Sequence, residues 1–127
     1  MTGAAGNGAR AVRLRLRFTV GPDLDVGPGR MDLLEAVAET GSISAAARRM
    51  GMSYRRAWVL IDHMNQHAAK PLVEKAGGGR RGGGTRLTDA GRAILDHYRA
   101  MEKRAGELLA EETARLEALL NGTGEGG

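Results

Sequence analysis

From residue 12 to residue 20 apolar and polar positions alternate without a fault: Val12, Leu14, Leu16, Phe18 and Val20 share one face, and Arg13, Arg15, Arg17 and Thr19 the other. A period of two belongs to a strand with one buried side, so the pattern predicts a strand over 12–20 whose arginine face is solvated and discourages edge pairing. Gly21-Pro22-Asp23 predicts a turn, residues 24–26 a short returning strand, and Gly27-Pro28-Gly29 a further break. Beyond it the period lengthens. Met31, Leu34, Val37 and Ala38 form the stripe of a first helix ended by Gly41. Ala46, Ala47 and Met50 make the small apolar face of a second, with Ser44 placed as its N-cap. Ala57, Leu60, Ile61 and Met64 recur at i, i+3, i+4 and i+7 in a third, which leaves Arg55, Arg56, Val59 and His63 on its other sides.

The second and third helices are separated only by Gly51 and the short step to Ser53. Glycine can take the left-handed conformation that stops one helix, and Ser53 is placed to cap the next, so residues 42–66 have the spacing of a helix-turn-helix. The exposed first turn of the later helix is then Ser53-Tyr54-Arg55-Arg56. A basic first turn suits a major-groove reader: the helix dipole favours nearby phosphate and arginine can grip guanine at two points. Tyr54 at that turn is placed to reach phosphate or base, whereas Trp58, beside the apolar face, is read as core.

Pro71 bars the helix from continuing, and residues 72–75 and 85–88 have strand character on either side of a glycine-rich loop centred on Arg80 and Arg81. Directly behind a helix-turn-helix, this predicts a wing whose paired arginines enter a minor groove or clasp phosphates. Gly77 to Gly82 also fits the dinucleotide fingerprint G-x-G-x-x-G, but that motif needs a helix after the loop, and here a strand is predicted. Thr88 and Asp89 predict the cap and first turn of a last helix reaching Leu120. Ile94, Tyr98, Met101, Ala105 and Leu108 keep heptad-like spacing along it, and Leu109, Leu116 and Leu120 continue an apolar face after a register shift. A stripe that long exceeds what one small domain can bury, which predicts pairing with a second copy. The acidic end of this helix, with Glu102, Glu107, Glu111, Glu112 and Glu117, is expected to face away from DNA.

The organisation expected is a featureless Gly-rich tail over 1–10, a winged helix-turn-helix domain with an N-terminal strand over 11–88, a long dimerisation helix over 89–120, and a second tail over 121–127. The fold class is mainly α with a small β component. The chain has 127 residues and a formal net charge of +4, which suits an anionic partner. It has no cysteine, so disulfides and thiolate metal sites are excluded and the cytoplasm is the expected compartment. No run approaches membrane-spanning length, and the first residues lack the apolar core of a signal peptide. His63 and His67 have the i, i+4 spacing of a helical metal pair, but no third ligand accompanies them, so no metal or cofactor is expected. No nucleophile, base and orienter set points to an enzyme.

Gly41-Ser42-Ile43-Ser44, Ser53-Tyr54 with Ala57-Trp58, Met64-Asn65-Gln66, Leu72-Val73-Glu74, the glycine runs at 77–79 and 82–84, and Leu87-Thr88 with Gly91 resemble the N-terminal DNA-binding domain of the ModE family of molybdate-responsive transcriptional regulators. The wider LysR-type regulators share the Gly-Ser-x-x-x-Ala-Ala and Leu-Thr-x-x-Gly elements. The resemblance runs from about residue 31 to about residue 105 and implies a homodimer on double-stranded DNA. The implied DNA contacts are Ser44, Ser53, Tyr54, Arg55, Arg56, Arg80 and Arg81, and the implied dimer contacts are Ile94, Tyr98, Met101, Ala105, Leu108 and Leu109. Nothing resembling the family's molybdate-binding modules follows Asn121 in these residues. Oxyanion sensing is therefore not implied, and a separate molybdate-binding protein is a candidate partner. The alternative is a winged-helix interaction module that docks another protein subunit.

Overall fold

The computed structural model describes residues 10–77 and 84–123. Among them are five helices and two antiparallel two-stranded sheets. In order these are β1 (Phe18–Val20), β2 (Leu24–Val26), α1 (Pro28–Thr40), α2 (Ile43–Met50), α3 (Tyr54–His67), β3 (Val73–Lys75), β4 (Thr85–Leu87), α4 (Asp89–Leu108) and α5 (Ala110–Leu120). Two compact units emerge, Leu16–Arg99 and the described parts of Met1–Arg15 with Ala100–Gly127.

The first unit is the winged helix-turn-helix. Its core is built from Met31, Leu33, Leu34 and Val37 of α1, Ala46 and Ala47 of α2, Ala57, Ile61 and Met64 of α3, with Leu72, Leu95 and Tyr98 closing it. The α1 stripe is wider than expected, since Leu33 and Ala36 are as deeply buried as Met31 and Leu34. Pro28, expected to break the chain, instead starts α1: its fixed φ is already helical and its missing N–H falls where no helical partner exists. The β1–β2 hairpin pairs Phe18 with Val26 and Val20 with Leu24. Arg17 donates to Asp25 at 2.7 Å across it, and that hydrogen bond holds the Asp25 carboxyl below the usual carboxylate range.

The strand expected over 12–20 is realised as a ladder only at its end, Phe18–Val20. Alternating exposure persists through residues 11–17, with Leu16 half-buried and Arg17 exposed. Phe18 and Val20, expected on the buried face, are 36% and 49% exposed, so the period of two marks one-sided burial only as far as Leu16, and a ladder forms only where β2 offers hydrogen-bonding partners.

The start of α4 is locked by two devices. Thr88 Oγ1 accepts from Gly91 N at 2.9 Å and donates to the Pro71 carbonyl at 2.7 Å. A Cβ on Gly91 would overlap the Leu72 carbonyl, so only glycine lets the helix lie this close to the wing's first strand. Further along, Arg99 donates to Asp32 at 2.7 Å and to Glu35 at 2.8 Å, joining α4 to α1. The Tyr98 hydroxyl donates to the Leu16 carbonyl at 2.5 Å, and its ring meets Phe18 edge-on at 6.4 Å. These contacts draw the first half of α4 into the winged domain, whose compact unit extends to Arg99. Tyr98 is buried and Ile94 packs against the same core within one chain.

In the second unit the helix expected to run unbroken to Leu120 is interrupted at Leu109, whose φ of −102° and ψ of 17° depart from helical geometry. That is where the apolar pattern changes register. Met101, Leu108, Leu109, Leu116, Leu119 and Leu120 are exposed, Leu108 to 75%. Val12 N donates to Glu117 Oε1 at 3.0 Å, while Arg10 and Asn121 exchange two hydrogen bonds of 2.9 Å. After α5, Gly122 N bonds the Leu119 carbonyl and Thr123 N the Ala118 carbonyl. Arg10 and residues 121–123 are therefore held by hydrogen bonds and not tail-like as expected, while residues 1–9 and 124–127 lie outside the described residues. No helix among the described residues is long and apolar enough to cross a membrane.

Candidate nucleic-acid interface

The turn between α2 and α3 is built as its residues dictate. Gly51 takes φ 70°, its N–H bonded to the Arg48 carbonyl at 3.2 Å, and Met52 N follows onto the Ala47 carbonyl at 3.0 Å. Ser53 is the N-cap of α3: its hydroxyl accepts from Arg56 N at 3.0 Å. With Ala46, Ala47 and Ala57 all buried, the two helices pack at the close range that methyl side chains allow. Ala57, Ile61 and Met64 face inward, and Leu60, expected with them, is half-buried at the edge.

Burial of that face turns the first turn of α3 outward. Tyr54, Arg55 and Arg56 are exposed, and the turn carries no acidic residue to neutralise the helix N-terminus. Arg17, Arg49, Arg86, Arg92 and Arg99 are paired with carboxylates elsewhere, but neither Arg55 nor Arg56 has a carboxylate partner among the described residues. Two uncommitted guanidiniums thus flank a positive helix end.

Ser44 is exposed in the first turn of α2 but does not cap it. The cap is Ser42, whose hydroxyl accepts from Ala45 N at 3.0 Å. The reason is the tightness of the preceding turn: α1 ends at Gly41, Ser42 is extended, and Ile43 packs against the core as the first helical residue. In Gly-Ser-x-Ser both serines are chemically competent, and the burial of Ile43 decides between them.

β3 and β4 pair antiparallel, Val73 with Leu87 and Lys75 with Thr85, and form the wing. Asn65, a residue the sequence reading used only as part of a family motif, joins α3 to it. Its side-chain oxygen accepts from Leu72 N at 2.8 Å and Val73 N at 3.2 Å, and its amide donates to the Val73 carbonyl at 3.0 Å. One side chain therefore satisfies three backbone groups at the wing's root. Asparagine late in a helix, shortly before Pro71, was the available signal. Between α3 and the wing runs a groove of about 560 Å³ lined by Ile43, Tyr54, Trp58, Asp62, Lys75 and Thr85, among others. Trp58 is 47% exposed at its edge and is not the core residue expected, because its position on α3 falls on the wing-side shoulder of the buried face. Arg80 and Arg81, expected at the wing's tip, lie outside the described residues.

A β-strand follows the glycine loop, so the dinucleotide fingerprint has no helix to serve. His63 and His67 stack with ring centroids 4.2 Å apart, and no group of three or more possible metal ligands occurs among the described residues.

Residues 29–92 match the family model of the bacterial regulatory helix-turn-helix protein, lysR family. The chain belongs to that family. It is also 45% identical over 116 residues to the molybdenum transport protein ModE of Azotobacter vinelandii, covering 88% of this chain and 42% of that protein. To the DNA-binding transcriptional dual regulator ModE of Escherichia coli K12 it is 39% identical over 90 residues, covering 68% of this chain and 34% of the relative. These identities bear out the ModE-like resemblance carried by Ser-Tyr-x-x-Ala-Trp and Met-Asn-Gln. The chain spans less than half the length of these curated relatives. Among solved structures, the DNA-binding domain of CbnR in complex with DNA superposes with a TM-score of 0.53 at 28% identity, covering 67% of this chain and 92% of that one.

Proposed function

We propose that this protein is a ModE-like transcriptional regulator that binds duplex DNA sequence-specifically as a homodimer and acts on genes of molybdate uptake or molybdenum metabolism. The observation that carries the DNA-binding reading is the exposed, uncancelled first turn of α3, where Arg55 and Arg56 stand without carboxylate partners beside a wing. A helix N-terminus with free arginines offers base contacts and phosphate contacts together. The gene class is drawn from the relatives, several of which are named for molybdenum transport or for ModE. The same relatives favour a DNA-binding role without catalysis, and the family's place in gene regulation supports the cytoplasm as its compartment.

The exposed surface of α4 and α5 supports a second copy. Met101, Leu108 and Leu109, then Leu116, Leu119 and Leu120, leave an apolar surface that the described part of the second unit does not cover. Exposed leucines at this density favour burial against a like surface. Ala105 lies between them and is half-buried. Arg80, Arg81 and Ser44 are proposed as accessory DNA contacts.

The test is the salt dependence of binding to a labelled duplex enriched from a random pool. Each phosphate neutralised should add about −0.9 to the slope of log K against log salt, so a slope steeper than roughly −4 is expected for a two-helix, two-wing contact. A slope near zero at measurable affinity would replace DNA by a protein partner for this surface.

A further inference from the structure

The outward ridge of α3 is not uniformly polar. At about 100° per residue, Arg55 and Val59 both fall within about 30° of the direction opposite the buried row Ala57, Ile61 and Met64. Val59 is 48% exposed at the crest of that ridge, one turn beyond Arg55, and Trp58 is 47% exposed on the shoulder beside the wing groove. In the next turn the ridge becomes acidic, with Asp62 accepting from Gln66 Nε2 at 2.9 Å. The apolar pair thus sits between the unpaired arginines and a carboxylate, on the side of α3 that projects from the domain.

Single exposed apolar residues are ordinary, but here two adjacent ones occupy the crest and shoulder of one basic helix. The arginines and the open helix end select a polyanion as occupant. On the major-groove edge of duplex DNA the one apolar feature is the C5-methyl group of thymine. We infer that Val59 and Trp58 read thymine through that methyl group, and so specify A·T pairs next to the bases contacted by Arg55 and Arg56. This inference rests on the proposed DNA-binding function. It assigns specificity to side chains that carry neither charge nor hydrogen-bonding reach toward a base from Val59, and only an indole N–H from Trp58.

The experiment uses the full 127-residue chain and a site enriched from randomised duplexes, with each thymine replaced in turn by uracil, which removes only the methyl group. At one or more positions the replacement should weaken wild-type binding about fourfold, the factor for one methyl-sized group leaving an apolar contact. Val59→Ala or Trp58→Ala should weaken binding to the thymine duplex and erase the difference between thymine and uracil at that position. Thermal melting by circular dichroism establishes that each variant is folded, and Val59→Thr, which keeps the shape but replaces a methyl by a hydroxyl, should shrink the difference if Val59→Ala does not fold. Thymine–uracil discrimination that is unchanged in both variants overturns the inference. A wild type that enriches a site yet ignores uracil overturns it while leaving sequence-specific DNA binding intact. Failure to enrich any site overturns both.

Discussion

Arg55 and Arg56 stand exposed on the first turn of α3 without a carboxylate partner, and that placement gives them their weight at the level of single residues. Replacing both with Ala should remove roughly 1–3 kcal/mol per lost base contact and flatten the preference for an enriched site over a scrambled one, measured by competition binding. Stability should hardly change, because neither side chain is buried. Tyr98 is the opposite case. Its ring closes the core and its hydroxyl reaches the Leu16 carbonyl, so Tyr98→Phe should cost about 0.5–1.5 kcal/mol in chemical denaturation and leave DNA binding per folded molecule unchanged. Heptad spacing alone could not separate Tyr98 from Met101, since both fall on the same stripe. What separates them is that the β1 hairpin and α1 cover Tyr98, a long-range packing fact with no local signature. Trp58 failed for a related reason: it lies at the edge of the apolar face, and whether an edge residue is covered depends on how closely the wing approaches.

For the elements, most helix ends were legible because they rest on local chemistry, whereas the Pro28 start of α1 and the Ser42 cap of α2 were not. Gly41 and Gly51 end helices in the left-handed conformation, Ser53 and Thr88 cap the next ones, and the inward rows of α1 and α3 follow the helical period. The N-terminal strand was less legible, since alternation specifies a buried side without specifying a ladder partner. The break at Leu109 showed in the pattern only as a change of register. The wing depends on a tie that periodicity does not reveal, the three hydrogen bonds of Asn65. Asn65→Ala leaves Leu72 N and Val73 N without acceptors at buried residues, and should cost about 1–3 kcal/mol. Amide hydrogen exchange should show the loss locally: protection should fall most in β3 and β4, with α1 least affected. Uniform loss of protection would mean that Asn65 supports the whole core rather than the wing's root.

At the scale of the whole molecule, the proposed function pairs a DNA-reading unit with a second unit whose exposed leucines are proposed to meet a second copy. Wild-type protein at micromolar concentration should sediment as a dimer, and Leu108→Glu with Leu116→Glu should give folded monomers, because both leucines are exposed within one chain. Those monomers should bind a site of two half-sites far more weakly than wild type and a single half-site nearly as well. A wild-type monomer would remove the second copy from the account and leave the winged helix as the whole DNA-binding apparatus. The central claim is that α3 reads sequence in duplex DNA, and the affinity ratio between an enriched duplex and its scrambled counterpart tests it most directly. At physiological salt the account predicts a ratio of roughly 10³ or more for the wild-type chain, within the range of specific DNA-binding proteins. Equal affinities for the two duplexes would contradict it.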